Sequence, residues 1–278
     1  MNIAIVGLGL IGGSICKKLK SQNSKFKVIG IARREETAKK ALELGIVNEA
    51  TTDLVQGVKD ADIVFICTPI NLIIPILKGI APNLKPGAIV TDVGSTKEEI
   101  VKQAKKIMPK GTYFIGGHPM AGKEKVKFEE VEAGLFQDKI WILMPDERVE
   151  VLENIIKKLG ARIIKMDAKK HDLVVAGISH MPLAVAAALV NAVAESKEAT
   201  AEMKQCAASG FKDTTRVASG DPVLGVDMFT TNKKSVLEMI SAFKKSLANL
   251  EKKIKKGDPD KIKAELKKAK QFRDSIYG

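Results

Sequence analysis

Residues 1–14 read MNIAIVGLGLIGGS, a β-branched run that passes directly into Gly7-Leu8-Gly9-Leu10-Ile11-Gly12. In a G-x-G-x-x-G loop between a strand and a helix, the first glycine allows the tight turn. The second lets the backbone approach a pyrophosphate, and the third lets helix and strand pack closely. Elsewhere in a chain the pattern reads equally as a structural glycine turn. At the end of a first strand it predicts a dinucleotide site, with Gly7, Gly9, Leu10, Ile11 and Gly12 as cofactor-binding residues. Working outward, short β-branched runs alternate with amphipathic stretches to about residue 167: KVIGI, DIVFI, AIVTDV, TYFIG, IWILM and ARIIKM. Helices are expected through EETAKKALELG, stopping at Gly45, and through STKEEIVKQAKKIM, stopping before Pro109. This alternation predicts an α/β fold with a Rossmann-type, doubly wound, mostly parallel sheet.

After about residue 168 the strand signals end. HDLVVAGISHMPLAVAAALVNAVA, residues 171–194, predicts one long helix that is apolar nearly all round and therefore buried. The remainder is helical with polar faces, broken around SGDPVLG and GDPD. The expected organisation is a dinucleotide-binding domain, 1–167, followed by a smaller all-α substrate and dimerisation domain, 168–278. So apolar a helix needs more cover than the smaller domain supplies, which predicts a homodimer built through that domain.

Composition bounds the partners. We count no run of about 18 apolar residues, so no membrane span is expected. The N-terminus lacks the basic flank of a signal peptide, and a cytoplasmic protein is expected. Lysines and arginines number 46 against 33 acidic residues, a net charge of +13. That invites a nucleic-acid reading, but the lysines are spread through segments such as FKKSLANLEKKIKK and aromatics are only 4%. A solvated basic surface that steers small anions is the preferred account, with no nucleic-acid partner. Cys16, Cys67 and Cys206 are odd in number and set among apolar residues, which predicts reduced, buried thiols. His171 and His180 lack the spacing of a zinc pair, and no metal is expected.

Two further stretches bear on the cofactor. CTP, residues 67–69, follows the fourth strand at the carboxyl edge where such sheets bind ligands. Thr68 and Pro69 are cofactor contacts there, or simply a strand-end turn. GIARREE, residues 30–36, closes the second strand. An NAD site would carry Asp or Glu about 20 residues beyond the glycine loop, to hold the ribose 2′-hydroxyl. Ala32 stands there instead, followed by Arg33 and Arg34, which predicts NADP with NAD possible. The alternative is a pair of solvated residues at a helix start, although positive charge there opposes the helix dipole.

GLGLIGGS, TDVGSTK, GGHPMAG, ISHMPLAVAAAL and GFKDTTRVASGDP stand in that order along the chain. Together they resemble the prephenate and arogenate dehydrogenase family of tyrosine biosynthesis. The resemblance implies hydride transfer from a cyclohexadiene to a nicotinamide, with loss of the ring carboxylate as carbon dioxide. It places the catalytic histidine at His118, which by its own setting between Gly117 and Pro119 reads equally as turn filler. An imidazole titrates near working pH, which suits it to accept the proton of the ring 4-hydroxyl.

The same resemblance makes Ser95 a hydrogen-bond partner of that histidine and of the substrate, although Ser95-x-x-Glu98 also reads as a helix capping box. It makes His180 a substrate ligand, where the residues alone favour a satisfied core histidine. His171, ahead of Asp172, is read as structural capping. Arg216 is expected to grip a substrate carboxylate, with Lys212 and Thr214 as secondary contacts, against an ordinary ion pair with Asp213. Leu183 stands where some prephenate-using relatives carry a second histidine, which favours arogenate. Competing readings are a β-hydroxyacid dehydrogenase, which would need a catalytic lysine in the helical domain, and a nucleotide-sensing regulator without chemistry. With no room expected for an appended regulatory domain, tyrosine inhibition would be competitive.

Overall fold

The computed structural model describes residues 1–22, 26–122, 128–196 and 200–278. Strand β1 (Asn2–Val6) lies at the centre of a six-stranded parallel sheet with β2 (Lys27–Ile31), β3 (Glu49–Thr51), β4 (Ile63–Ile66), β5 (Ile89–Asp92) and β6 (Tyr113–Ile115). Their spatial order is β3-β2-β1-β4-β5-β6, so the chain reverses direction across the sheet between β1 and β4. Helices cover both faces, and the strands are accordingly apolar on both sides. Along β1, Ile3 and Ile5 enter one core with Phe65 and Trp141, while Ala4 and Val6 enter the other with Val64 and Ile73. The period of two along a strand divides one short sequence between two cores.

The connecting helices are α1 (Leu10–Ser21), α2 (Glu35–Glu43), α3 (Leu54–Val58), α4 (Ile70–Ile80) and α5 (Glu98–Ile107). Strand β3, with sequence EAT, escaped the sequence reading because it is short and lacks a β-branched run. The later strands depart from the expected single sheet. After β6 the chain turns at Gly116 into β7 (Gly117–Pro119), which pairs antiparallel with β8 (Ile140–Leu143). Helix α6 (Val149–Lys158) then leads to β9 (Arg162–Lys165), parallel to β8. Gly117 accounts for the switch: a Cβ there would stand 2.8 Å from the Asp92 carbonyl oxygen and 3.0 Å from Trp141 Nε1.

Helix α7 (Ala168–Val175) passes through a π-helical turn, Ala176–His180, into α8 (Met181–Ala194). The turn has a local cause. Pro182 has no amide to donate and crowds the carbonyl four residues back, so the ladder widens just before it. One sequence expectation fails here. The helix is not buried, since Ala186 is the one buried residue of α8. And the stretch Ala168–Ala194 is long and apolar enough, by length and composition, to cross a membrane. The interruptions hid that run, but Asp172, His171 and His180 within it are buried and bonded to the protein itself.

Helices α9 (Thr200–Cys206), α10 (Ser209–Thr215) and α11 (Pro222–Thr231) follow, with a 3₁₀ turn at Arg216–Ser219. Cys206 ends α9 exposed, against expectation, while Cys16 is buried and Cys67 half-buried. The chain divides into compact units Met1–Asn232 and Lys233–Gly278. Asn232 shows why: its Nδ2 donates to the Asp172 carbonyl at 2.7 Å, which ties the helices up to α11 to the first unit. The second unit is a helical hairpin, α12 (Lys233–Lys256) and α13 (Pro259–Tyr277), turned at Gly257 and joined by a Lys253–Glu265 ion pair.

Candidate active site

All six parallel strands present their carboxyl ends at one edge, and the loops that matter gather there. Gly7 follows β1 with φ +98°, and a Cβ on it would lie 2.8 Å from the Cys67 carbonyl oxygen. At Gly12 a Cβ would come within 2.0 Å of the Gly7 carbonyl oxygen, so the turn admits glycine alone. Gly9 caps α1 without a side-chain hydrogen bond, which leaves the first amides free to meet an anion. A cleft of about 630 Å³ opens beside this loop, lined by Gly7, Gly9, Ala32, Arg33, Arg34 and Lys40 among others.

Thr68, just past β4, has a buried hydroxyl with no hydrogen-bond partner among the described residues. Glycine cradle, free helix amides and unpaired hydroxyl fit a dinucleotide. Some of the expected contacts shrink on inspection. Leu10 is buried in the core and does not line the cleft, and Pro69 is the N-cap of α4. Arg33 and Arg34 are exposed, and Arg34 caps α2, whose first turn holds Glu35 and Glu36 as compensating charge.

His118 lies in β7, with Ile142 opposite it, and not in a bend. Its Nδ1 is 2.9 Å from His171 Nε2, and His171 Nδ1 is 2.8 Å from Asp172 Oδ1. That corrects the reading of His171 as a cap, because α7 is capped by Asp167, which accepts from the Lys170 amide at 2.9 Å. Asp172 does cap a helix, but a different one. Its carboxylate accepts from the Lys97 amide at 2.7 Å and the Glu98 amide at 2.9 Å, at the start of α5. The expected Ser95–Glu98 capping box gives way: Lys97 is the N-cap, and the Glu98 amide that Ser95 would satisfy is already taken by Asp172.

Asp92, at the end of β5, and Lys97 form a fully buried ion pair. Asp92 also accepts from the Gly94 amide at 2.9 Å and the Gly117 amide at 3.3 Å. One carboxylate thus ties the GSTK loop, which carries half-buried Ser95, to the strand that carries His118. The sequence reading passed over Asp92 and Lys97, although TDVGSTK held both, and gave His171 and Asp172 no part in the cluster.

Charge near His118 is disfavoured. Burial pushes its imidazole well below the ordinary histidine range, and His171, Lys97 and His180 push the same way. Burial likewise brings His180 down to about 4, partly opposed by Asp172. His180 Nδ1 lies 3.3 Å from Asn232 Nδ2, while its buried Nε2 has no partner among the described residues. With Nδ1 facing a donor, Nε2 holds the proton and offers it to a ligand. Thr214 returns its hydroxyl to the Gly210 carbonyl at 2.7 Å, and Lys212 and Arg216 are exposed on a segment packed against α8. His118, His171, Asp172, His180 and Lys97 are brought together. Thr214 spends its hydroxyl on its own helix, apart from that cluster.

The sequence model of the prephenate dehydrogenase nucleotide-binding domain matches residues 15–165, and that of the prephenate dehydrogenase dimerization domain matches 167–268. A prephenate dehydrogenase of Bacillus subtilis is 34% identical over 99% of this chain and 76% of its own length. Synechocystis arogenate dehydrogenase superposes with a TM-score of 0.89 at 36% identity, covering 99% of this chain and all of its own. The Aquifex aeolicus prephenate dehydrogenase, solved with hydroxyphenyl propionate and NAD+, gives 0.92 at 34% identity, covering 99% and 98%. From the first strand to the last helices, this chain belongs to the prephenate dehydrogenase family.

Proposed function

We propose that the protein oxidises and decarboxylates arogenate to tyrosine in preference to prephenate, using NADP in preference to NAD. The observation that carries the chemistry is a buried, neutral histidine held beside the carboxyl edge that also bears the dinucleotide loop. Nicotinamide bound in the cleft supplies the hydride acceptor. His118 accepts the proton of the ring 4-hydroxyl as hydride leaves the same carbon. The ring carboxylate then departs as carbon dioxide, its bonding electrons completing the aromatic ring. Ser95 orients the 4-hydroxyl, the free Nε2 proton of His180 binds the substrate, and Arg216 grips a substrate carboxylate with Lys212 and Thr214 beside it.

Two local features support the finer choices. Leu183 packs toward Gly225 and has no hydrogen bond to give a keto oxygen, which removes one reason to prefer prephenate. Around the cleft, Ala32 brings no carboxylate to repel a 2′-phosphate, while Arg33 and Arg34 bring charge to bind it. A charge-assisted hydrogen bond contributes about 1.5 to 3 kcal/mol, roughly 10- to 100-fold in affinity. We assign 1–167 to cofactor binding and 168–278 to substrate binding and dimerisation in a cytoplasmic homodimer without membrane or nucleic-acid partners. The exposed apolar side chains of α8, and those of α12 and α13, support the dimer. The test is kcat/KM for each substrate with each cofactor. Arogenate with NADP is expected to be highest, and no turnover of either cyclohexadiene overturns the reading.

A further inference from the structure

The hydrogen bonds around His118 run in one line across two helices and a strand, and their polarity follows from a single fixed point. Asp172 Oδ1 and Oδ2 already accept the backbone amides of Lys97 and Glu98, so this carboxylate is an acceptor on every side. Facing it at 2.8 Å, His171 Nδ1 must carry a proton. A neutral His171 then has a bare Nε2, and that bare nitrogen faces His118 Nδ1 at 2.9 Å. His118 must therefore donate from Nδ1, which leaves its own Nε2 bare.

We propose that His171 and Asp172 are positioning residues that lock His118 in the tautomer with its proton on Nδ1 and its lone pair on Nε2, aimed at the substrate. The proposal rests on the reading of His118 as the base. It adds that the base is prepared by a chain ending on a carboxylate, and that the same carboxylate sets the start of α5. The opposite polarity would leave His118 with a proton on Nε2 and nothing with which to accept the 4-hydroxyl proton.

The chain also answers an electrostatic difficulty. Burial, His171 itself, Lys97, before α5, and His180, in the π-helical turn, all oppose its protonation. Asp92 compensates Lys97 directly through their ion pair. Asp172, reached through His171, is the negative charge left to stabilise the imidazolium that forms when His118 takes the proton. His118 gains its proton on Nε2 while keeping the one on Nδ1, so the bond to His171 strengthens as charge develops and no proton need move along the chain.

The chain has three histidines, at 118, 171 and 180, so nitrogen-15 NMR of histidine-labelled protein resolves each ring without ambiguity. In the intact protein at neutral pH, His118 is expected with Nδ1 protonated and Nε2 bare, and His171 with the same tautomer. A doubly protonated His171, or a His118 protonated on Nε2, overturns the proposal. In His171→Leu, which offers no acceptor, the single His118 tautomer is expected to give way to a mixture. Turnover in that variant should fall about 100-fold in kcat with KM little changed, near the low end of what a general base contributes. His171→Gln restores an acceptor oxygen and is expected to recover both the tautomer and much of kcat. Unchanged kcat and tautomer in His171→Leu also overturn the proposal. The NMR reading needs no substrate, so a failure to turn over either cyclohexadiene strikes the proposed function and leaves the tautomer separately decided.

Discussion

The proposed base, His118, must be uncharged to act, and its surroundings disfavour charge: burial dominates, with His171, Lys97 and His180 adding to it. The consequence is a prediction about pH. Protonation of His118 sets in below the ordinary histidine range, so kcat should stay level as pH falls through 6.5 and decline only in more acid solution. A kcat that halves near pH 6.5 contradicts this. Arg216→Ala should mainly raise KM, because a carboxylate grip acts in ground and transition states alike. Arg33→Ala should weaken NADP binding by about 10-fold or more in a direct titration without weakening NAD binding. Equal losses for both cofactors would remove the 2′-phosphate contact. At this scale a motif in the sequence drew attention to His118, and the sequence was silent where a contact depends on a distant partner. His171 meets His118 across 53 positions, and no local pattern records that distance.

The elements around the site are coupled by shared carboxylates more than by their own sequences. Asp172, on α7, caps α5, and Asp92, ending β5, holds the amide that begins β7. This explains why a local rule misled at Ser95. A serine three residues before a glutamate is a sound capping signal, but a tertiary carboxylate had taken the amides first. The same coupling makes Gly117 sensitive. Gly117→Ala would drive a Cβ to 2.8 Å from the Asp92 carbonyl oxygen, a backbone atom that cannot swing aside. We expect a loss of about 1 to 3 kcal/mol in denaturant unfolding, together with lowered kcat from displacement of His118. Full stability and activity in that variant would show that β7 is not held as described. The parallel strands and the glycine turn were legible because each follows from its own few residues. The second sheet and the π-helical turn were not, since they arise where Gly117 and Pro182 meet neighbours or interrupt a ladder.

At the scale of the molecule, two buried histidines make stability depend on acid. His118 and His180 both titrate in the folded protein below the ordinary value of 6.5, His180 at about 4. Below that ordinary value the unfolded chain binds protons that the folded one refuses, so their contribution is present above pH 6.5 and is lost as pH falls toward 4. Unfolding midpoints at pH 7 and pH 5 should show the decline, and His180→Gln should reduce it. The apolar length of Ala168–Ala194 was legible only as composition, since what covers it is not written in the residues themselves. If the chain forms the proposed homodimer, sedimentation should give twice the 30.1 kDa chain mass, and a monomer at micromolar concentration would refute the dimer. The most direct test of the whole account is kcat for arogenate with NADP in the intact protein and in His118→Asn, with tyrosine, NADPH and carbon dioxide measured together. The intact protein should release the three in equal amounts. The variant should bind arogenate with little change yet lose about 100- to 10,000-fold in kcat, and an undiminished kcat would contradict the account.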